Sequence, residues 1–470
     1  MNSKWWTLAV VAAGTYMSAL DGSVVNTALP VIGREAQVAL PVLEWVILAY
    51  LLTVTATLLV FGRLADIFGQ RCFYLSGLVL FTAGSLLCGL APGIAALIGF
   101  RALQALGASM LFALGPAVLT ATFPAQERGR ALGMQATVTY LGLSTGPALG
   151  GFLTHHLGWR SIFFVNVPIG SLVIVAAFAA VPRGAPGRRQ RFDALGAGIL
   201  ALFMASLLFA LSEGHSLGWV SPPVAAALMV CPVALAAFLV LERRLADPTL
   251  DLSLFANRAF SAAGLAAFLS YTSSSAVSLL MPFYLIQGCG YRVDTVGLIL
   301  ISTSVTMALL ASPAGWLSDH IGARLPATVG MTLAILAILL LRGLGAGASS
   351  GAVVWRLALL GAGMGLFTSP NNSALMGSAP PRQRGVAGAI LAAARNLGFG
   401  VGVATAGLIY SLRLHQLGPM LPPAQAVTAA MHDATTGVAL LATPGILASA
   451  LRGAPIRGMA VQPEQVAGDG

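Results

Sequence analysis

Long, sparsely charged apolar runs recur from one end of this chain to the other. Each spans roughly 18 to 25 residues, enough to cross a bilayer core of about 30 Å as a helix. They read as Trp5–Leu29, Val42–Phe61, Cys72–Leu90, Ile94–Thr120, Ala131–Leu153, Ile162–Val181 and Ala194–Leu211. A second set follows at Val224–Leu241, Phe260–Ile286, Val293–Trp316, Ala327–Leu341, Val353–Met376, Val386–Leu412 and Thr436–Leu451. That makes about fourteen spans, the last of them short and interrupted by Pro444 and Gly445. Hydrophobic residues make up 57% of the chain, charged residues 9%, and the mean hydropathy is +0.87. Such a composition excludes a soluble globular domain. The runs lack the two-residue alternation of a lipid-facing barrel, so the expected fold is an all-α polytopic membrane protein.

Within this pattern a decapeptide repeats. Gly62–Arg71 (GRLADIFGQR) recurs as Gly315–Arg324 (GWLSDHIGAR), with Gly, Leu, Asp, Gly and Arg at the same offsets. Both copies close a long apolar run, so the chain reads as two related membrane halves, an organisation shared by many secondary transporters. The interval between the copies is too long for six compact spans, and Ala194–Leu211 with Val224–Leu241 fills the difference. The expected layout is an N-terminal six-helix half (1–181), a basic linker with an inserted helix pair (182–258), and a C-terminal six-helix half with a short tail (259–470).

The formal net charge of +10 reports topology, because the basic residues are spread over alternate loops instead of one soluble face. One set of loops holds only Arg34, Arg160, Arg292, Arg342 and Arg413; most of the other basic residues, including the run Pro182–Arg191 (PRGAPGRRQR), fall in the opposite set. By the positive-inside rule the basic loops and both termini are expected in the cytoplasm of a multi-pass cell (inner) membrane protein, with no nucleic-acid partner. Cys72, Cys88, Cys231 and Cys289 lack metal-type spacing and read as small apolar packing residues. No nucleophile–base pair, metal cluster or phosphate loop is evident, so neither an enzyme, a metal site nor a cofactor is expected.

Four clusters carry possible mechanism. The first, Leu20–Pro30 (LDGSVVNTALP), puts Asp21 into an otherwise apolar helix; an ionisable group there is a functional candidate by default. The second is the repeated turn, where Asp66 and Asp319 near helix ends, with Arg71 and Arg324, suit a conformational latch. The third is Arg101–Ala108 (RALQALGA), which puts Arg101 about 12 Å deep, level with Asp21, and Gln104 one turn away on the same face. The fourth, Gly142–Gly151 (GLSTGPALGG), has glycines at 142, 146 and 150 in one ridge, with Pro147 and Gly151 beside it. Such a ridge suits close packing between the halves, a helix-packing hinge without chemistry of its own. In the second half Ser369–Ser373 (SPNNS) and Arg395–Asn396 bring polar groups into apolar spans, and Tyr271–Ser275 (YTSSS) offers hydroxyls for packing or for lining a cavity.

Together these clusters resemble the major facilitator superfamily, specifically its fourteen-helix drug:proton antiporter branch. Asp21, Asn26 and Pro30 match the first-helix signature; Gly62, Leu64, Asp66, Gly69 and Arg71 match the turn between helices 2 and 3. Arg101, Gln104 and Gly107 match the fourth-helix pattern, and Gly142, Gly146, Pro147, Gly150 and Gly151 match that of the fifth. Trp159–Gly170 is also typical of the branch. Ala105 and Gln70 depart from it, standing where the family usually has Gly and a basic residue. The resemblance implies a monomeric, proton-driven exporter of hydrophobic or amphipathic small molecules working by alternating access. Asp21 and Arg101 would then couple protons, and Asn26, Gln104, Asn371 and Arg395 would face the substrate cavity. With Asp21 the only deep carboxylate, neutral or monocationic amphiphiles are expected over multivalent cations. A transporter of one defined metabolite, lipid or siderophore on the same fold is the alternative.

Overall fold

The computed structural model describes residues 3–124, 127–182, 194–214, 217–244, 252–379 and 384–451. Their regular secondary structure is helical throughout, with no strand among the described residues. In the first part run α1 (Ser3–Ala36), α2 (Leu40–Phe68), α3 (Gln70–Gly89), α4 (Ile94–Thr122), α5 (Arg128–Leu157), and α6 (Ser161–Phe164) continuing into α7 (Asn166–Ala180). Next come α8 (Ala194–Glu213) and α9 (Pro222–Arg244). The rest comprises α10 (Arg258–Phe283), α11 (Val293–Ile321), α12 (Arg324–Leu340), α13 (Ser350–Gly377), α14 (Arg384–Leu417), α15 (Pro423–Ala442) and α16 (Pro444–Ala450). Among the described residues, eleven helices are long and apolar enough to span a membrane. Helices α5, α8 and α15 pack among them.

One expected boundary moves. The short last span placed at Thr436–Leu451 begins earlier, at Pro423, and breaks at Thr443 before Pro444. Its first turns, with Gln425, Thr428, His432 and Asp433, are too polar to register as a span. They are tolerated because this helix packs on α10, α12 and α14, burying Ala426, Val427, Ala430 and Met431.

Helix pairing in the first group is repeated in the second. α1 lies along α5 as α10 lies along α14; α2 packs on α4 as α11 does on α13; α3 packs on α4 and α7 as α12 does on α13 and α16. Close approach is set by small residues at matching places. A Cβ on Gly107 would fall 2.3 Å from the Phe81 nitrogen across α3, and one on Gly363 would fall 2.4 Å from the Ala334 nitrogen across α12. In lipid, where apolar surface alone does not drive helices together, such contacts supply the packing energy. Helices α8 and α9 pair with each other, and α8 also touches α2 and α14, one helix from each group.

The two groups meet tightly at one end. There α5 lies against α11, with Gly151 facing the Val293 carbonyl and Gly297 facing the Pro147 carbonyl. Asn26 Nδ2 donates to Ser278 Oγ at 2.8 Å, and Arg292 Nη2 lies 2.7 Å from His155 Nε2. Arginine can only donate, so His155 Nε2 is the acceptor. This is the end that carries Arg34, Arg160, Arg292, Arg342 and Arg413.

Candidate functional site

The first-half charges meet in the core. Asp21 and Arg101 are both buried, and Arg101 Nη1 donates to Asp21 Oδ2. The same Nη1 lies 2.7 Å from Gln104 Oε1, while Gln104 Nε2 donates to Asp21 Oδ1 at 2.9 Å and to Ser85 Oγ at 2.7 Å. Asn166 Nδ2 gives Asp21 Oδ1 a further bond at 3.1 Å. Arg101 Nε reaches the Val46 carbonyl at 3.1 Å, and its guanidinium sits over the Tyr50 ring, 4.2 Å from the centroid. One carboxylate thus ties together α1, α2, α3, α4 and α7. A buried ion pair recovers its desolvation cost only when the remaining lone pairs and protons are also satisfied, as here.

The spacing Arg101–Gln104 on α4 explains part of this arrangement, since residues three apart share a helix face. Asn166 arrives from α7 and Tyr50 from α2, and neither was singled out from the sequence. Asn166 lies in the Trp159–Gly170 segment at the entry to a span, where a polar residue reads as a boundary. Tyr50 sits about two and a half turns below Pro41, at a depth where an aromatic side chain reads as ordinary packing.

A separate cavity of about 210 Å³ lies between the two helix groups. Ser18, Ala19 and Gly22 of α1, Tyr50, Leu51 and Val54 of α2, Phe112 of α4, and Thr139 and Leu143 of α5 line one wall. The opposite wall is Tyr271 and Ser274 of α10, Met307 of α11, Met364 of α13, and Arg395, Asn396 and Phe399 of α14. Tyr50 belongs to both places: its ring carries Arg101 on one face, it borders the cavity, and its hydroxyl donates to the Ser18 carbonyl at 3.2 Å. The hydroxyl run on α10 divides by helical position. Tyr271 and Ser274 reach the cavity, while Thr272, Ser273 and Ser275 are buried and bond back to their own helix.

Of the four residues expected at the cavity, Arg395 lines it and the other three do not. Gln104 is committed to Asp21 and Ser85, Asn26 bridges to Ser278 at the closed end, and Asn371 donates to the Ala263 carbonyl of α10 at 3.2 Å. Each amide donates to a group on a neighbouring helix.

The fifth-helix ridge also faces a different neighbour from the one expected. A Cβ on Gly142 would meet the Tyr16 carbonyl at 2.7 Å, one on Gly146 the Ser23 side chain, and one on Gly150 the Val24 carbonyl at 2.6 Å. All three lie against α1 of the same group. The contact between groups is made by Gly151 and Pro147, a quarter turn round the helix, against Val293 and Gly297.

The two repeat copies share one backbone geometry. Gly69 (φ 102°) and Gly322 (φ 87°) occupy the region that glycine enters without Cβ strain, and their N–H groups close the preceding helices on Ala65 and Ser318, both at 2.9 Å. A Cβ on Gly62 would meet nothing within 4 Å, and one on Gly315 would lie 2.9 Å from Ser369 Oγ. Arg71 donates to the Phe178 carbonyl at 2.6 Å, and Arg324 is exposed. The side chains of Asp66 and Asp319 lie outside the described residues, as does the basic run 183–193.

A model of the Major Facilitator Superfamily matches residues 11–250 and 263–415. The riboflavin transporter RibZ of Clostridioides difficile is 35% identical over 411 residues, covering 86% of this chain and 88% of that protein. The multidrug resistance protein Stp of Mycobacterium tuberculosis is 35% identical over 404 residues, covering 86% of this chain and 75% of its own length. The fold is shared with a bacterial homologue of the human lysosomal transporter Spinster, at a TM-score of 0.68 over 96% of this chain and 97% of that one, with 15% identity. With both helix groups matched and the relatives aligned over most of their length, the chain is a multi-pass membrane transporter that belongs to the Major Facilitator Superfamily.

Proposed function

We propose that this transporter is a proton-coupled antiporter of the drug:proton branch, exporting hydrophobic or amphipathic small molecules by alternating access. The observation that carries the reading is the buried Asp21–Arg101 pair: a titratable carboxylate inside one helix group, set apart from the cavity yet touching its wall through Tyr50. A low-dielectric site disfavours a bare carboxylate and an adjacent guanidinium favours it, so any motion that parts the two moves a proton. In this reading the ion-paired form belongs to the state that has released its proton inside. No cofactor is required, since the gradient supplies the work. Each pH unit is worth about 1.4 kcal/mol per proton, roughly a tenfold accumulation of substrate. Counterflow of a labelled compound panel in proteoliposomes under an imposed pH gradient tests it; flux indifferent to the gradient sinks the coupling.

A second reading has one specific support. RibZ, named for a single compound, is as similar to this chain as Stp. Under that reading the same panel would show flux confined to one chemical series.

Orientation follows from the arginine distribution, with basic loops and termini inside and the closed helix-group contact outside. Single cysteines at positions Gly187 and Ser216, in a cysteine-free background, are expected to react from opposite sides of sealed vesicles. Labelling of both from outside refutes this topology. For the repeated turn we propose a latch that biases the two-state equilibrium. Asp66→Asn is expected to slow exchange while leaving the affinity of a tight ligand within about twofold, a shift of under 0.5 kcal/mol. Loss of binding with unchanged exchange kinetics would count against the latch.

A further inference from the structure

We infer that the central cavity selects planar aromatic anions, a substrate class that rests on the export reading and narrows it. The charge inside the cavity is one-sided. Among the described residues Arg395 is its single ionic liner, and no acidic residue borders it. Asp21, a buried carboxylate of α1, is turned away and held by Arg101, Gln104 and Asn166. Arg395 itself makes one long bond, from Nε to Asn396 Oδ1 at 3.4 Å, and no carboxylate lies within ion-pair distance of it among the described residues. A guanidinium offers five N–H donors in a planar fork matched to a carboxylate or sulfonate. An entering anion would complete that fork, whereas an entering cation would meet a like charge in a partly desolvated space.

The remaining wall fits flat rings. Tyr50, Phe112, Tyr271 and Phe399 present aromatic surface from four helices, and Met307 and Met364 add polarisable thioethers that sit well against ring edges. The aromatic residues come from both helix groups, so a ring held among them bridges the surfaces that must separate during exchange. The expectation of neutral or monocationic cargo came from Asp21 as the sole deep carboxylate, and that carboxylate is absent from the cavity wall.

A matched naphthalene series tests the inference: a sulfonate, a hydroxymethyl compound and a trimethylammonium compound on the same ring system. Binding is read by equilibrium dialysis against the purified full-length protein, and transport by counterflow in proteoliposomes. The sulfonate is expected to bind at least about tenfold more tightly than the ammonium compound. Arg395→Gln should weaken sulfonate binding about tenfold, leave the alcohol within about twofold, and be partly rescued by Arg395→Lys. Equal or tighter binding of the ammonium compound overturns the selectivity. A parallel loss of sulfonate and alcohol in Arg395→Gln assigns the arginine to packing and overturns it as well. Gradient-driven flux of the ammonium compound in preference to the sulfonate leaves export standing and removes anion selection. Absence of flux for this series and for a broad compound panel removes both.

Discussion

Asp21→Asn is expected to abolish uphill efflux driven by a pH gradient while leaving downhill exchange of the same compound measurable. The asparagine keeps one acceptor oxygen where the carboxylate offers two, so it can accept from Gln104 or from Arg101 in their present places but not from both, and it cannot exchange a proton. Removing the negative partner leaves a buried guanidinium without its counter-charge, a loss of about 3–5 kcal/mol in comparable buried pairs. A thermal melt must therefore accompany the flux assay, to show that the variant is folded under assay conditions. Arg101→Ala makes the complementary case. The carboxylate then lacks its ion-pair partner, so the pH profile of transport is expected to shift from that of the wild type. Uphill pumping by Asp21→Asn with an unchanged profile would place the coupling proton elsewhere.

Some of this architecture was legible in the residues. The repeated decapeptide announced two helix groups because Gly69 and Gly322 are required by the same left-handed turn, and backbone geometry of that kind is written in single residues. Asp21 and Arg101 were legible as partners because a lone acid and a lone base at matched depth in apolar helices leave few alternatives. What sequence could not supply was the identity of each neighbour. Asn26 and Asn371 looked like cavity residues because polarity inside an apolar run suggests water, yet a helix neighbour can satisfy an amide through Ser278 or the Ala263 carbonyl. The ridge of Gly142, Gly146 and Gly150 signalled close packing correctly, but the periodicity of one helix does not say which other helix lies against it. The last span was misjudged for a related reason, since hydropathy scores the polar start of α15 as loop although its apolar face is buried.

Gly297→Leu should have the second large effect. Its Cβ would sit 2.5 Å from the Pro147 carbonyl and 3.1 Å from the Ala148 Cα, backbone atoms that can yield only if α5 and α11 part. Overpacking of this kind costs about 1–3 kcal/mol, and here it falls on one state of a two-state cycle. It should shift the ratio of closed to open forms at that end by roughly fivefold to 150-fold. Cysteines replacing His155 and Arg292 in a cysteine-free background, joined by a short bifunctional reagent, report the closed seam directly. Cross-linking should be efficient with Gly297 and poor with leucine, and transport should fall in parallel. Unchanged cross-linking with lost transport would mean that the seam does not open in the cycle.

Coupling in this transporter requires two separate sites, a proton held at Asp21 and a ligand held in the cavity, joined through the wall they share at Tyr50. Proton exchange on ligand binding tests this directly, in purified protein kept in weakly buffered detergent solution with a pH indicator. Adding a transported ligand should release protons from the wild-type protein and none from Asp21→Asn, with the two affinities differing by no more than about threefold, under 1 kcal/mol. Equal proton release by the two proteins, or loss of ligand binding in folded Asp21→Asn, would contradict it.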